Sequence, residues 1–118
     1  MTPEEHVAGH PLALAVFGAV RDLIDAMGGA DVRTTKSQVA FRRRRGFAYL
    51  WLPGRYLTDP AANVVLSIVL GRHDPSARWK QVAHPSPKVW MHHLEVIDVT
   101  AIDDDVAAWL REAADLAS

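Results

Sequence analysis

TKSQVAFRRRRGFAYLWL, residues 35–52, sets four consecutive arginines between two apolar segments and follows them with a glycine. The spacing predicts a β-hairpin. Val39, Ala40 and Phe41 begin one strand, Arg44-Arg45-Gly46 forms the turn with the glycine free to take positive φ, and residues 47–52 return as the partner. Side chains alternate along a strand, so Arg42 and Arg43 are expected on opposite faces.

Outward from this hairpin, residues 63–70 read as a further strand, with Val64, Leu66, Ile68 and Leu70 on one face and Val65, Ser67 and Val69 on the other. Both faces are apolar, as in residues 47–52, where Phe47, Tyr49 and Trp51 oppose Ala48, Leu50 and Leu52. Two such strands imply a sheet covered on both sides in its middle, or a homodimer interface. Pro53-Gly54 and Asp59-Pro60 mark turns between them. Residues 79–84 read as a short edge strand. Residues 89–97 read as a longer one, with Trp90, His92, Leu94 and Val96 toward the core and His93 and Glu95 on the wetter side.

Helices flank these strands. Thr2-Pro3-Glu4-Glu5 resembles a capped helix start that Gly9 interrupts, and Pro11 restarts a helix. Leu12, Val16, Val20, Leu23, Ile24 and Met27 recur on one side of it before Gly28-Gly29 ends it. At the other end of the chain Asp103 caps a helix striped by Val106, Trp109, Leu110, Ala113 and Leu116, with Asp104 and Asp105 in its first turn. The expected architecture is α+β: a single domain over residues 1–118, with a single-layer antiparallel sheet of about five strands and the N- and C-terminal helices packed on one face.

At 118 residues with 49% hydrophobic and 23% charged side chains, the chain suits one soluble globular domain. It has no cysteine, which excludes disulfides and thiol chemistry and suits a reducing cytoplasm. The apolar run at residues 11–20 follows Glu4 and Glu5 rather than a basic segment and is too short to span a bilayer, so a soluble, unprocessed protein without membrane association is expected. The net charge is −1, but it is unevenly placed. No carboxylate stands between Asp31 and Asp59, while the chain after Glu95 is strongly acidic.

Thr35-Lys36, Ala40-Phe41, the basic run, Gly46-Phe47, Asp74-Pro75 and the closing pattern from Asp103 to Trp109 with Glu112-Ala113 together resemble the bacterial domain of unknown function 5655. The resemblance covers most of the chain from about the first helix onward. It implies the same fold and brings no activity or catalytic residues with it. The Arg42 to Arg45 run and Trp90-Met91-His92-His93 depart from much of that family.

Guanidinium groups are planar forks suited to phosphate and carboxylate, and nearby rings can stack a base or sugar. The functional expectation is therefore a binding module for an anionic small molecule or an acidic partner protein, carried by Lys36, Arg42, Arg44, Arg45, Tyr49 and His93. The bland alternative has Arg42 and Arg44 solvating an edge strand while Arg43 and Arg45 meet the acidic C-terminal segment. Nucleic acid is disfavoured by the near-zero net charge and the lack of a nucleic-acid motif. Two other classes stand beside the binding module: a structural or homodimerising domain, and a hydrolase-type enzyme using His93 and Glu95. Adjacent His92 and His93 point to opposite faces and cannot share an ion. His6 and His10 lack a third ligand, and neither a metal nor a cofactor is expected. Trp51, Trp90 and Trp109 are expected in the core, and Trp79 is expected to be the most exposed tryptophan.

Overall fold

Pro11 opens a helix, α1 (Pro11–Ala26), where its missing N–H costs nothing, and Gly28 and Gly29 close it at φ values of 111° and 80°. The Gly29 N–H donates to the Ile24 carbonyl at 2.8 Å, the closure that only a left-handed residue completes without strain. The computed structural model describes residues 2–3, 10–52 and 64–118. The turns expected at Pro53-Gly54 and Asp59-Pro60, the interruption at Gly9 and most of the first helix start lie outside the described residues.

Six strands follow among the described residues: β1 (Asp31–Thr34), β2 (Gln38–Arg42), β3 (Gly46–Trp51), β4 (Val64–Leu70), β5 (Gln81–Ser86) and β6 (Val89–Val96). They form one antiparallel sheet in the order β1-β2-β3-β4-β6-β5. The sixth strand, absent from the expectation of about five, is β1. It pairs with β2 through a tight turn in which the Thr35 Oγ1 accepts from the Ser37 and Gln38 amides. A second helix, α2 (Asp104–Leu116), ends the chain. The Asp103 carboxylate accepts from the Val106 N–H at 3.2 Å as its cap.

Both helices lie on the same face of the sheet. Val16, Phe17, Val20 and Ile24 of α1 and Val106, Leu110 and Ala113 of α2 share one core with Val39, Phe41, Leu50, Leu66, Ile68, Leu94 and Val96. Each such fully buried side chain contributes about 1.5–3 kcal/mol. Leu116, expected in the stripe, is exposed. All seven residues of β4 are buried within the single chain.

One irregularity reorganises the hairpin. Phe41 pairs with Ala48 but Arg42 pairs with Gly46, so Phe47 is left over as a bulge. Phe47 and Ala48 therefore both join the helix-side core, against the expectation that Phe47 shares a face with Tyr49 and Trp51. Gly46 is needed for space and not for backbone freedom, because its φ is not positive. A Cβ there would fall on the Tyr49 hydroxyl and lie 2.7 Å from Tyr49 Cζ.

Candidate functional site

Away from the helices, the register lines up a row across the sheet. Arg33 stands opposite Ala40, Ala40 opposite Tyr49, Tyr49 opposite Ser67, Ser67 opposite His93 and His93 opposite Gln81. A neighbouring row runs from Gln38 through Trp51 and Val65 to Glu95. Between them lies a pocket of about 450 Å³ lined by Ser37, Gln38, Tyr49, Trp51, Ser67, Met91 and His93. Its walls are set by strand alternation, and Tyr49 can lean back along β3 only because Gly46 has no side chain.

The polar groups at the base of this pocket are joined. The Trp51 indole N–H donates to Ser67 Oγ at 2.7 Å, and Ser67 Oγ is 2.6 Å from His93 Nδ1. The Trp51 and His93 rings meet edge to face, with centroids 5.9 Å apart. Burial lowers the His93 pKa, and the neighbouring His92 lowers it further. Glu95 shares the face with His93, but its carboxylate stands 3.8 Å from Lys80 Nζ.

The six residues expected to bind a ligand do not converge. Tyr49 and His93 meet in the pocket. Lys36 is exposed at the β1–β2 turn, whereas Arg42, Arg44 and Arg45 are at the opposite end of β2. At roughly 3.3 Å per residue, Lys36 and Arg44 are on the order of 20 Å apart, beyond the reach of one small anion.

The arginine turn has a different occupation. Arg43 donates from Nη2 to the Met27 carbonyl at 2.9 Å, from Nε to Gly29 O at 3.2 Å, and from Nη1 to Ser118 Oγ at 2.9 Å and Ala114 O at 3.5 Å. Arg45 Nη2 donates to Leu116 O at 3.3 Å, and the Arg44 amide donates to Ala117 O at 2.7 Å. The cations thus sit at the carbonyl ends of both helices, where the backbone dipoles are negative. They meet the carbonyls of the acidic segment rather than its carboxylates.

A second polar cluster lies on the helix side. The buried Asp74 carboxylate accepts from the Trp79 indole at 3.0 Å, the Ser76 amide at 3.1 Å, Arg72 at 3.2 Å and the Trp109 indole at 3.3 Å. Burial alone would raise its pKa, but these donors together hold it below the usual carboxylate value. Trp79, expected to be exposed, is buried because its indole serves Asp74 and its ring packs on Trp109 at 4.2 Å and on His92 at 4.9 Å. His92 Nε2 accepts from the Asp74 amide, and its Nδ1 faces the Trp90 carbonyl, both at 3.0 Å, so Nδ1 carries the proton. His84 stacks on Trp90 at 3.5 Å rather than joining His93. No cluster of three or more potential metal ligands occurs among the described residues, nor any helix long and apolar enough to cross a membrane.

Sequence reasoning missed Ser67 and Asp74. The first had a signal, as the one polar residue in the β4 run VVLSIVL. The second had a weaker one, an acid followed by proline that entered only as part of the family resemblance.

The molecule is an α+β domain with a six-stranded antiparallel sheet, one face under two helices and the other bearing an aromatic, hydrogen-bonded pocket. The family model described as Domain of unknown function (DUF5655) matches residues 4–117, nearly the whole chain, and the protein belongs to that family. No curated protein and no solved structure matches it. Asp74, Asp103, Trp109 and Glu112, among the residues on which the resemblance was read, acquire a structural account. Asp74 and Trp109 bond to each other, Arg72 bridges Asp74 and Glu112, and Arg78 joins Asp103.

Proposed function

We infer that this domain is a binding module whose ligand is a small molecule seated between Tyr49, Trp51 and His93. The observation that carries this reading is the Trp51–Ser67–His93 chain. A serine in the middle of an apolar strand holds one nitrogen of an imidazole that lines a pocket, an arrangement that orients a recognition group. The absence of cysteine suits a reducing bacterial cytoplasm for this role.

Anion capture at the hairpin narrows, on the same reading, to Arg42 and Arg44, since Arg43 and Arg45 already serve helix carbonyls. Titration of a small-molecule fragment set into the isotopically labelled protein tests the choice of site. Saturable shifts concentrated on the Trp51 indole, Tyr49 and His93 ring signals are expected. Shifts confined to Arg42 and Arg44 would relocate the site to the hairpin.

A further inference from the structure

The hydrogen bonds at the pocket base determine what His93 can offer, and this inference rests on the binding role just proposed. An indole N–H only donates, so Ser67 Oγ is the acceptor in its 2.7 Å contact with Trp51. The hydroxyl has a single hydrogen of its own. Of its two partners only His93 Nδ1 can take it, at 2.6 Å. Ser67 Oγ has lone pairs enough to accept twice, but only donation to His93 also gives its own hydrogen a partner within this chain of contacts, and on that assignment Nδ1 is unprotonated and the ring proton resides on Nε2. That nitrogen lies on the far side of the ring from Ser67 and has no partner among the described residues. Burial keeps the ring neutral at pH 7, so it presents one N–H donor and no charge.

The remaining lining supplies shape. Tyr49, Trp51 and Met91 are flat or deformable apolar surfaces, and no charged side chain occurs among the described lining residues. A fully charged group taken from water into such a lining loses its hydration without gaining a counter-charge. A carbonyl oxygen placed opposite an N–H loses much less. A volume of about 450 Å³ holds a one- or two-ring molecule.

We propose that the pocket recognises a planar aromatic ligand bearing an uncharged carbonyl, whose oxygen accepts from His93 Nε2–H while its ring lies against Tyr49, Trp51 and Met91. Nothing in this contact requires the hairpin arginines.

Benzamide, benzoate and benzamidinium have nearly the same shape and differ in charge and in what they accept or donate. Each is titrated into the full chain at pH 7.5, with His93 ring nitrogens and the Trp51 indole N–H followed by NMR. Benzamide is expected to bind about tenfold or more tighter than either ion, and to shift His93 Nε2 more than Nδ1. His93→Phe, which keeps a ring but removes the donor, is expected to abolish the preference. Should that variant fail to fold, the nitrogen shifts of the wild-type ring decide. A proton found on Nδ1 overturns the proposal, as does retained benzamide preference in a folded His93→Phe. Tighter binding of benzoate or benzamidinium also overturns the neutral-carbonyl class while leaving the pocket as a binding site. If none of the three perturbs any pocket residue, the binding role itself falls.

Discussion

Ser67 and His93 are directly opposed on adjacent antiparallel strands, and their side chains meet at 2.6 Å on the sheet face away from the helices. Pair register and hydrogen bond thus reinforce each other: shifting β6 by one residue would send His93 into the core and His92 out of it. His92 is protonated on Nδ1, which faces the Trp90 carbonyl while Nε2 accepts from the Asp74 amide; in the binding mode proposed above its neighbour His93 takes the opposite tautomer, protonated on Nε2.

Replacing Ser67 by alanine removes the acceptor of a buried indole N–H and the tether of an imidazole together. Ser67→Ala is expected to lose roughly 1–3 kcal/mol in urea unfolding, since an orphaned donor costs more than the bond contributes. It should also release the His93 ring to a mixture of tautomers, visible in its nitrogen shifts.

Gly46→Ala should act on Tyr49 alone. The backbone at Gly46 is not left-handed, so no conformational strain arises, but the new methyl occupies the position of the Tyr49 hydroxyl. Tyr49 is half-buried and can swing away, so the cost is expected at the low end of the roughly 1–3 kcal/mol typical of overpacking. Combining it with Tyr49→Ala should remove the penalty, and a double-mutant cycle reads that coupling.

Stability should fall with acid in two steps. His92 and His93 both have folded-state pKa values depressed below 6.5, chiefly by burial. Their neutral forms therefore contribute stability that is complete above pH 6.5 and is lost as pH falls toward the folded values. Asp74 is depressed below 3.8 by the Trp79, Ser76, Arg72 and Trp109 donors, which outweigh its burial. Its contribution is present above pH 3.8 and disappears as pH drops through the folded value. Urea midpoints measured against pH should show both steps, and Asp74→Asn should shrink the lower one, to which Asp98 and Asp103, also held below the usual carboxylate value, contribute as well.

Arg43 and Arg44 are neighbours with different fates. Arg43→Ala removes four donated contacts to the helix ends and is expected to cost about 1.5–3 kcal/mol, the range for charge-assisted bonds. Arg44→Ala, at an exposed position, should stay within about 0.5 kcal/mol. Arg43→Lys should recover only part of the loss, because a compact ammonium cannot reach carbonyls on both sides as a planar fork does. Chemical denaturation of the three variants separates these outcomes.

The residues that made the fold readable were those with period. Val64, Leu66, Ile68 and Leu70 alternate and are core, and Val16, Val20 and Ile24 recur at helical spacing and are core. Asp31–Thr34 escaped notice because its four residues have no buried face to impose alternation, and only pairing with β2 makes it a strand. Phe47 broke the alternation through a bulge that a run of aromatic and apolar residues does not announce. For the site, Tyr49 and His93 were identifiable as individual residues, but their juxtaposition depended on the order β3-β4-β6, in which β5 is bypassed. The partners of Arg43 and Arg45 were not legible, because a charge run shows where cations are in the chain and not which carbonyls the tertiary fold brings to them. Met27 and Ala114 are 16 and 71 residues from Arg43.

That separation has a bearing on how the molecule opens. One guanidinium holds the final turn of α1 and the final turn of α2 from the tip of a hairpin belonging to neither. Fraying at either helix end must first dislodge the same side chain, so the two ends share a latch. Amide exchange near Met27 and near Ala114 should consequently slow and quicken in concert as conditions change, though the helices are consecutive neither in sequence nor in the sheet they cover.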